Sequence, residues 1–253
     1  MRVIVTRPAA QAAEWVARFQ AQGIAAVALP LIAIEPAADA APVDAGWAQL
    51  ARHRLVVFVS PNAAERFFAR RPVQSAWPST LLAGSPGPGT THTLTRLGVP
   101  TALIVEPAVD AAQFDSESLW AELETHDWQG AEVLIVRGEG GGRDWLAETL
   151  RSRGAQVTPL AAYRRAAPSF GADELALLEA AQAAPDRHLW FFSSSEAIDH
   201  LALATPGASW TGALALATHP RIAERARRLG FSSVAETRPA WDAVVACIQS
   251  IRP

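Results

Sequence analysis

Residues 132–165 read EVLIVRGEGGGRDWLAETLRSRGAQVTPLAAYRR, and in them an apolar strand, a glycine turn, a helix and a second strand follow without interruption. Residues 1–36, MRVIVTRPAAQAAEWVARFQAQGIAAVALPLIAIEP, repeat that grammar. An offset of 130 places Arg7 on Arg137, Trp15 on Trp145 and Val27 on Val157. In both copies an unbroken Val/Ile/Leu run, residues 3–5 and 133–136, reads as a strand buried on both faces, the pattern of a parallel sheet. A βαβ-like unit has been used twice.

The duplication extends outward. LVVFVSPNAAERFF (55–68) and LWFFSSSEAIDHL (189–201) match at an offset of 134, which puts Ser60 on Ser194 and Asn62 on Glu196. Residues 87–107 match 219–239 at an offset of 132, with Pro88 on Pro220 and Gly98 on Gly230. The order of these pieces predicts an α/β protein of two similar flavodoxin-like parallel-sheet domains, the second inserted into the first. Domain 1 comprises 1–35 plus 166–253, and domain 2 comprises 36–165. Two extended crossings near 30–36 and 159–166 join them, and the Ala/Pro/Asp-rich stretch 36–45 reads as part of the first. Expected strands lie near 2–6, 25–30, 189–193, 214–217 and 232–235 in one sheet, and near 55–59, 81–84, 101–105, 132–136 and 156–160 in the other.

Open parallel sheets bind ligands outside the carboxyl ends of their strands, so the strand-end turns should face a shared cleft. Arg7 and Arg137 each end a strand beside a helix mouth whose first N–H groups lack intrahelical partners, which makes a plausible anion seat. The competing reading is that they cap a strand edge or pair with a carboxylate. Ser60, Asn62, Thr90, Ser194, Ser195, Thr218 and His219 stand at the other strand ends, with Gly138 directly after Arg137. Helix capping is the competing role for the hydroxyls, and it is compatible with binding because a cap uses only some of the orphan N–H groups.

Several chemistries are excluded by what the chain lacks. Arg143 stands where a dinucleotide fingerprint needs a third small residue, and no P-loop Lys-Ser/Thr pair follows. All 22 Lys+Arg residues are arginine, which removes Schiff-base chemistry. Six histidines without H-x-H or H-x₃-H spacing and a single cysteine argue against a metal site, and no G-x-S-x-G elbow occurs. A net charge of −3 gives no global attraction for nucleic acid or anionic membrane. The N-terminus runs straight into a strand, and no apolar stretch is long enough to span a bilayer. Cys247 permits no internal disulfide and reads as a core residue, as expected for a cytoplasmic protein. The arginine clusters at 70–71, 151–153, 164–165 and 225–228 read as solvated surface.

Taken together, VTRP, VFVSPNAA, GPGTTHTL, DSESL, IVRGEGGGRDWLAETLRSRGAQV, AAYRR and THPRIAERARRLGF resemble the uroporphyrinogen-III synthase family in the same order along essentially the whole chain. The chain departs from the family pattern at His219-Pro220-Arg221, where many members carry a hydroxyl-rich helix start. The resemblance implies a cofactor-free, metal-free enzyme of haem biosynthesis. Its substrate is hydroxymethylbilane, a linear tetrapyrrole that it closes with loss of water and inversion of ring D. It also implies a monomer, with transient contact with the preceding pathway enzyme. Tyr163, the only tyrosine, is then the catalytic proton donor, against the reading of a half-buried aromatic that packs the crossing. Two rivals are a two-domain binding protein that closes on an anion without chemistry, and a nucleotide-sugar transferase.

Overall fold

Two parallel sheets hold the strands of this protein, whose computed structural model describes residues 1–111, 113–140 and 144–251. Gly141, Gly142 and Arg143 of the glycine run lie outside the described residues. The chain divides into two compact units, Met1–Ala33 with Ala166–Pro253, and Ile34–Arg165. Elements are numbered along the chain.

In unit 1 the strands are β1 (Arg2–Val5), β2 (Ala26–Ala28), β9 (His188–Phe192), β10 (Leu214–Ala217) and β11 (Ser233–Glu236), in the spatial order β11-β10-β9-β1-β2. Every recorded pairing is parallel. Counted along the unit, this is the 2-1-3-4-5 order of a flavodoxin-like sheet. Helices α1 (Ala9–Ala21), α7 (Ala172–Ala183), α8 (Ser195–Ala204), α9 (Pro220–Leu229) and α10 (Trp241–Ile251) supply the connections. The all-apolar β9 is buried on both faces because each face meets an aromatic cluster. Phe191 lies against Trp15 and Phe19, while Trp190 and Phe192 lie against Trp210 and Phe231. Each such side chain contributes about 1.5–3 kcal/mol on burial. Helix α9 stops at Gly230, whose φ of 109° suits a residue without Cβ.

Unit 2 contains β3 (Ala33–Pro36), β4 (Leu55–Phe58), β5 (Leu82–Gly84), β6 (Ile104–Val105), β7 (Glu132–Gly138) and β8 (Gln156–Ala166), ordered β3-β8-β7-β4-β5-β6. Its helices are α2 (Ala41–Ala48), α3 (Pro61–Phe68), α4 (Pro88–Arg96), α5 (Ser116–Leu123) and α6 (Trp145–Ser152). Starting the count at β7 gives 2-1-3-4-5 again for β8-β7-β4-β5-β6. The order is a circular permutation of unit 1, as the pairing of β7 with β1 in sequence requires. Trp47, Phe58, Phe67, Phe68 and Trp77 fill one side of the sheet, and Leu119, Trp120, Leu123 and Trp128 the other.

Three features add to or differ from the sequence reading. The extended segments read as crossings contain the points where the chain passes between the units, and they carry β3 and the end of β8; β3 neighbours β8 and gives this sheet a sixth strand. The stretch 36–45 is not all linker, since α2 begins at Ala41 with a proline in its first turn. Its Val43 and Trp47, four residues apart, face the core along with Leu50. Trp47 stacks on Phe67 at 4.7 Å and donates its indole N–H to the Phe67 carbonyl at 2.7 Å. Cys247 is half-buried at the edge of the unit 1 core rather than inside it, and burial raises its thiol pKa.

Candidate functional site

The parallel registers bring the polar residues of each unit to the carboxyl end of its own sheet. In unit 1, Val5 pairs with Phe191 and Phe191 with Leu216, so Thr6-Arg7, Ser193-Ser194-Ser195 and Thr218-His219 emerge from three adjacent strands at one level. Thr6 donates its hydroxyl to the Phe191 carbonyl at 2.7 Å, and the buried Thr218 takes the Phe192 carbonyl through its backbone N–H at 3.2 Å. Ser194 occupies the N-cap of α8 with its side chain making no cap bond, whereas His219 caps α9 by accepting the Arg221 N–H on Nδ1 at 3.1 Å. His219 thus does for α9 what a hydroxyl would do at such a start.

Arg7 follows β1 and turns back onto the aromatic layer. Its guanidinium carbon lies 4.7 Å from the Trp15 ring centre and 5.7 Å from that of Phe191. Nη1 donates to Gln11 Oε1 at 3.3 Å, while Nε is enclosed without a hydrogen-bond partner among the described residues. Burial lowers the Arg7 pKa to about 10, partly offset by the charge of Glu14. A buried unsatisfied donor of this kind costs about 1–3 kcal/mol until something accepts from it.

Its repeat partner Arg137 is different. The Arg137 guanidinium forms an ion pair with Asp144, so the carboxylate-pairing reading describes it as it stands. Most of the other arginines expected at the surface also hold exposed ion pairs, Arg70 with Asp44, Arg164 with Glu35, Arg225 with Asp199, Arg227 with Glu236 and Arg228 with Glu224.

In unit 2 the focus is Tyr163. Strand β8 runs in register with β7 until Arg137 meets Ala161; then Gly138 meets Tyr163, and Ala162 is the extra residue of a β-bulge. The bulge cancels the alternation of faces, so Leu160, Ala162 and Tyr163 all join one core cluster. Tyr163 is consequently 1% exposed, more enclosed than the half-buried aromatic expected from simple alternation. Its hydroxyl lies 3.2 Å from Ser60 Oγ and 3.5 Å from Arg165 Nη2. Ser60 is the N-cap of α3 and accepts the Ala63 N–H at 3.2 Å. Gly138 is glycine because the phenol ring lies flat against it: a Cβ there would be 3.0 Å from Tyr163 Cε2 and Cζ.

Asn62 stands in the first turn of α3 and the buried Thr90 in that of α4. Beside Thr90, Thr91 donates to Glu106 Oε2 at 2.6 Å and lies 2.9 Å from the Ser85 hydroxyl. Sequence reasoning passed over Arg165, counted among surface arginines. The signal was its place two residues after Tyr163 on an extended segment, where i and i+2 share a face.

Fold and strand ends define a two-unit parallel α/β protein that carries arginine, hydroxyls and helix N-termini at the carboxyl ends of its strands. The family model described as uroporphyrinogen-III synthase HemD matches residues 13–246. Among curated relatives, the uroporphyrinogen-III synthase of Escherichia coli K12 is 31% identical over 178 residues, 69% of this chain and 69% of that protein. The Synechococcus elongatus enzyme is 28% identical over 201 residues, 78% of this chain and 71% of its own. Crystal structures of the synthases of Thermus thermophilus and Helicobacter pylori both superpose at a TM-score of 0.56 with 15% identity. The former match covers 99% of this chain and 98% of that one, the latter 100% of both, and at this identity they speak for the fold. The chain belongs to the uroporphyrinogen-III synthase family.

Proposed function

We propose that the chain is an enzyme that closes hydroxymethylbilane to uroporphyrinogen III, a cyclising hydro-lyase of haem biosynthesis. The observation that carries this reading is the family match over residues 13–246, which spans both units. Two tasks follow from the chemistry. The leaving hydroxyl needs a proton, and a flexible polyanion must be held so that the substituted carbon of ring D attacks.

In this reading Tyr163 is the donor. The phenol proton passes to the hydroxyl oxygen, the C–O bond breaks with its electron pair on oxygen, and water leaves. The pyrrole nitrogen supplies electrons to form the azafulvene. Ring D then attacks through its substituted carbon to give a spiro intermediate. The older bond from that carbon to the ring C methylene breaks, the methylene re-bonds to the free carbon of ring D, and the proton lost when ring D regains aromaticity restores the phenol. The ring is enclosed here, so substrate must uncover its oxygen. Substrate-holding residues in unit 1 are Arg7, Ser194, Ser195, Thr218 and His219, and in unit 2 Asn62, Thr90, Arg137 and Gly138, while Ser60, first read as one of them, bears on the Tyr163 hydroxyl. Arg7 is the stronger carboxylate anchor, since Asp144 already occupies Arg137. The enzyme works as a cytoplasmic monomer and takes its unstable substrate in transient contact with the enzyme that makes it.

The test is product analysis. Incubation with freshly made hydroxymethylbilane, oxidation and separation of the uroporphyrin isomers should give predominantly type III. A type I excess equal to that of the protein-free reaction would sink the reading in favour of a non-catalytic binder.

A further inference from the structure

The hydrogen-bond cluster around the Tyr163 oxygen holds more protons than acceptors. Ala63 N–H donates to Ser60 Oγ at 3.2 Å. The Arg165 guanidinium, a group that can donate hydrogen bonds and cannot accept them, faces Tyr163 Oη from 3.5 Å, and its Cζ is 5.9 Å from the ring centre. At that length Arg165 acts more as a directed charge than as a strong bond. Ser60 and Tyr163 share one further bond at 3.2 Å, which uses one of their two hydroxyl protons. The other has no acceptor within the cluster. An enclosed hydroxyl proton without an acceptor is a place made for an incoming oxygen.

Which proton is left over follows from the charges. The Arg165 charge and the positive N-terminal end of α3, transmitted through Ser60, both favour negative character on the phenol oxygen. They favour the arrangement in which Ser60 donates to Tyr163 and the phenol proton turns away from both. We propose that Ser60 and Arg165 are positioning residues that aim the Tyr163 proton at the substrate's leaving hydroxyl, Ser60 acting on the phenol rather than on the substrate. This rests on Tyr163 being the donor.

The chain contains a single tyrosine, so labelling with [Cζ-¹³C]tyrosine gives one NMR resonance that reports hydrogen bonding at the phenol oxygen without turnover. Ser60→Gly suits the test because glycine is tolerated at an N-cap and removes the hydroxyl with its Cβ. Arg165→Met keeps a long side chain and removes the charge. Each is expected to move the resonance and to lower kcat roughly three- to tenfold, the order of one net hydrogen bond, with KM changed less than about twofold. Neither should lower kcat further when Tyr163→Phe is also present. A resonance unmoved in both variants, or a loss of kcat that persists in full alongside Tyr163→Phe, overturns the inference. Full turnover by Tyr163→Phe alone overturns the donor reading beneath it, and the resonance measurement keeps the two failures distinguishable.

Discussion

The guanidinium of Arg7 lies over the indole of Trp15 at 4.7 Å, held by an aromatic face on one side and by little hydrogen bonding on the other. Cation–π contact contributes about 0.5–2 kcal/mol, while an unmet buried donor costs about 1–3 kcal/mol, so the side chain is not there chiefly for stability. Arg7→Met keeps contact with the ring and removes the charge. KM should rise roughly ten- to hundredfold, as for loss of a charged hydrogen bond, with the unfolding midpoint held or raised. The exposed, ion-paired Arg227→Ala serves as control and should leave KM within about twofold. A midpoint lowered by several degrees with KM unchanged would make Arg7 structural.

The same residue gives a pH signature. With its folded pKa at about 10, below the ordinary guanidinium range, the unfolded chain holds the Arg7 proton more tightly. The destabilisation is therefore complete below about pH 10 and fades as pH rises through the folded value. Denaturation of the parent and Arg7→Met should show a stability gap that is constant from about pH 6 to 9 and narrows above about 10. A gap that widens there would contradict the assigned desolvation.

Tyr163→Phe removes one oxygen from an otherwise preserved core. We expect kcat to fall about tenfold or more, the order for a positioned proton donor. The type III fraction should be unchanged, and stability lower by about 1 kcal/mol for the lost Ser60 bond. Isomer-resolved kinetics decide it, and full turnover would return Tyr163 to a packing role.

Gly138→Ala probes the same spot from the neighbouring strand. The new methyl would press on the phenol ring at 3.0 Å, an overpacking cost of about 1–3 kcal/mol. Activity should fall with stability, because the ring must shift to relieve the contact. A variant as stable as the parent would show that β7 and β8 part easily here.

Trp47→Ala separates a core helix from a linker. Loss of the stack on Phe67 and of the indole bond should cost about 3–5 kcal/mol, measurable as a fall in the denaturation midpoint. An unaltered midpoint would restore the linker reading of this stretch.

What the sequence disclosed and concealed follows from periodicity. Runs such as Leu55–Phe58 and His188–Phe192 announced buried parallel strands because both faces of each are covered. The repeat offsets disclosed which strands were equivalent. Helix α2 was concealed because alanine, proline and aspartate at its start look like a linker, and its large apolar residues are only Val43 and Trp47, followed by Leu50 just beyond its end. The setting of Tyr163 was concealed by the bulge at Ala162, a one-residue slip that no period-two pattern can announce. The idle Nε of Arg7 and the ion pair of Arg137 look alike in sequence, since both follow a strand and precede a helix.

The permuted strand order has a consequence for how the chain is made. Unit 2 is one continuous segment, so all of its sheet has been synthesised by residue 166. Strand β1 of unit 1 emerges first yet lies between β2 and β9, and β9 begins only at His188. At about 5–20 residues per second, β1 and β2 wait roughly ten seconds or more with apolar faces uncovered while the inserted unit completes itself. Ribosome-bound chains stalled just after residue 166 has cleared the exit tunnel should therefore yield a protease-resistant core from unit 2 alone, with residues 1–33 still open to cleavage.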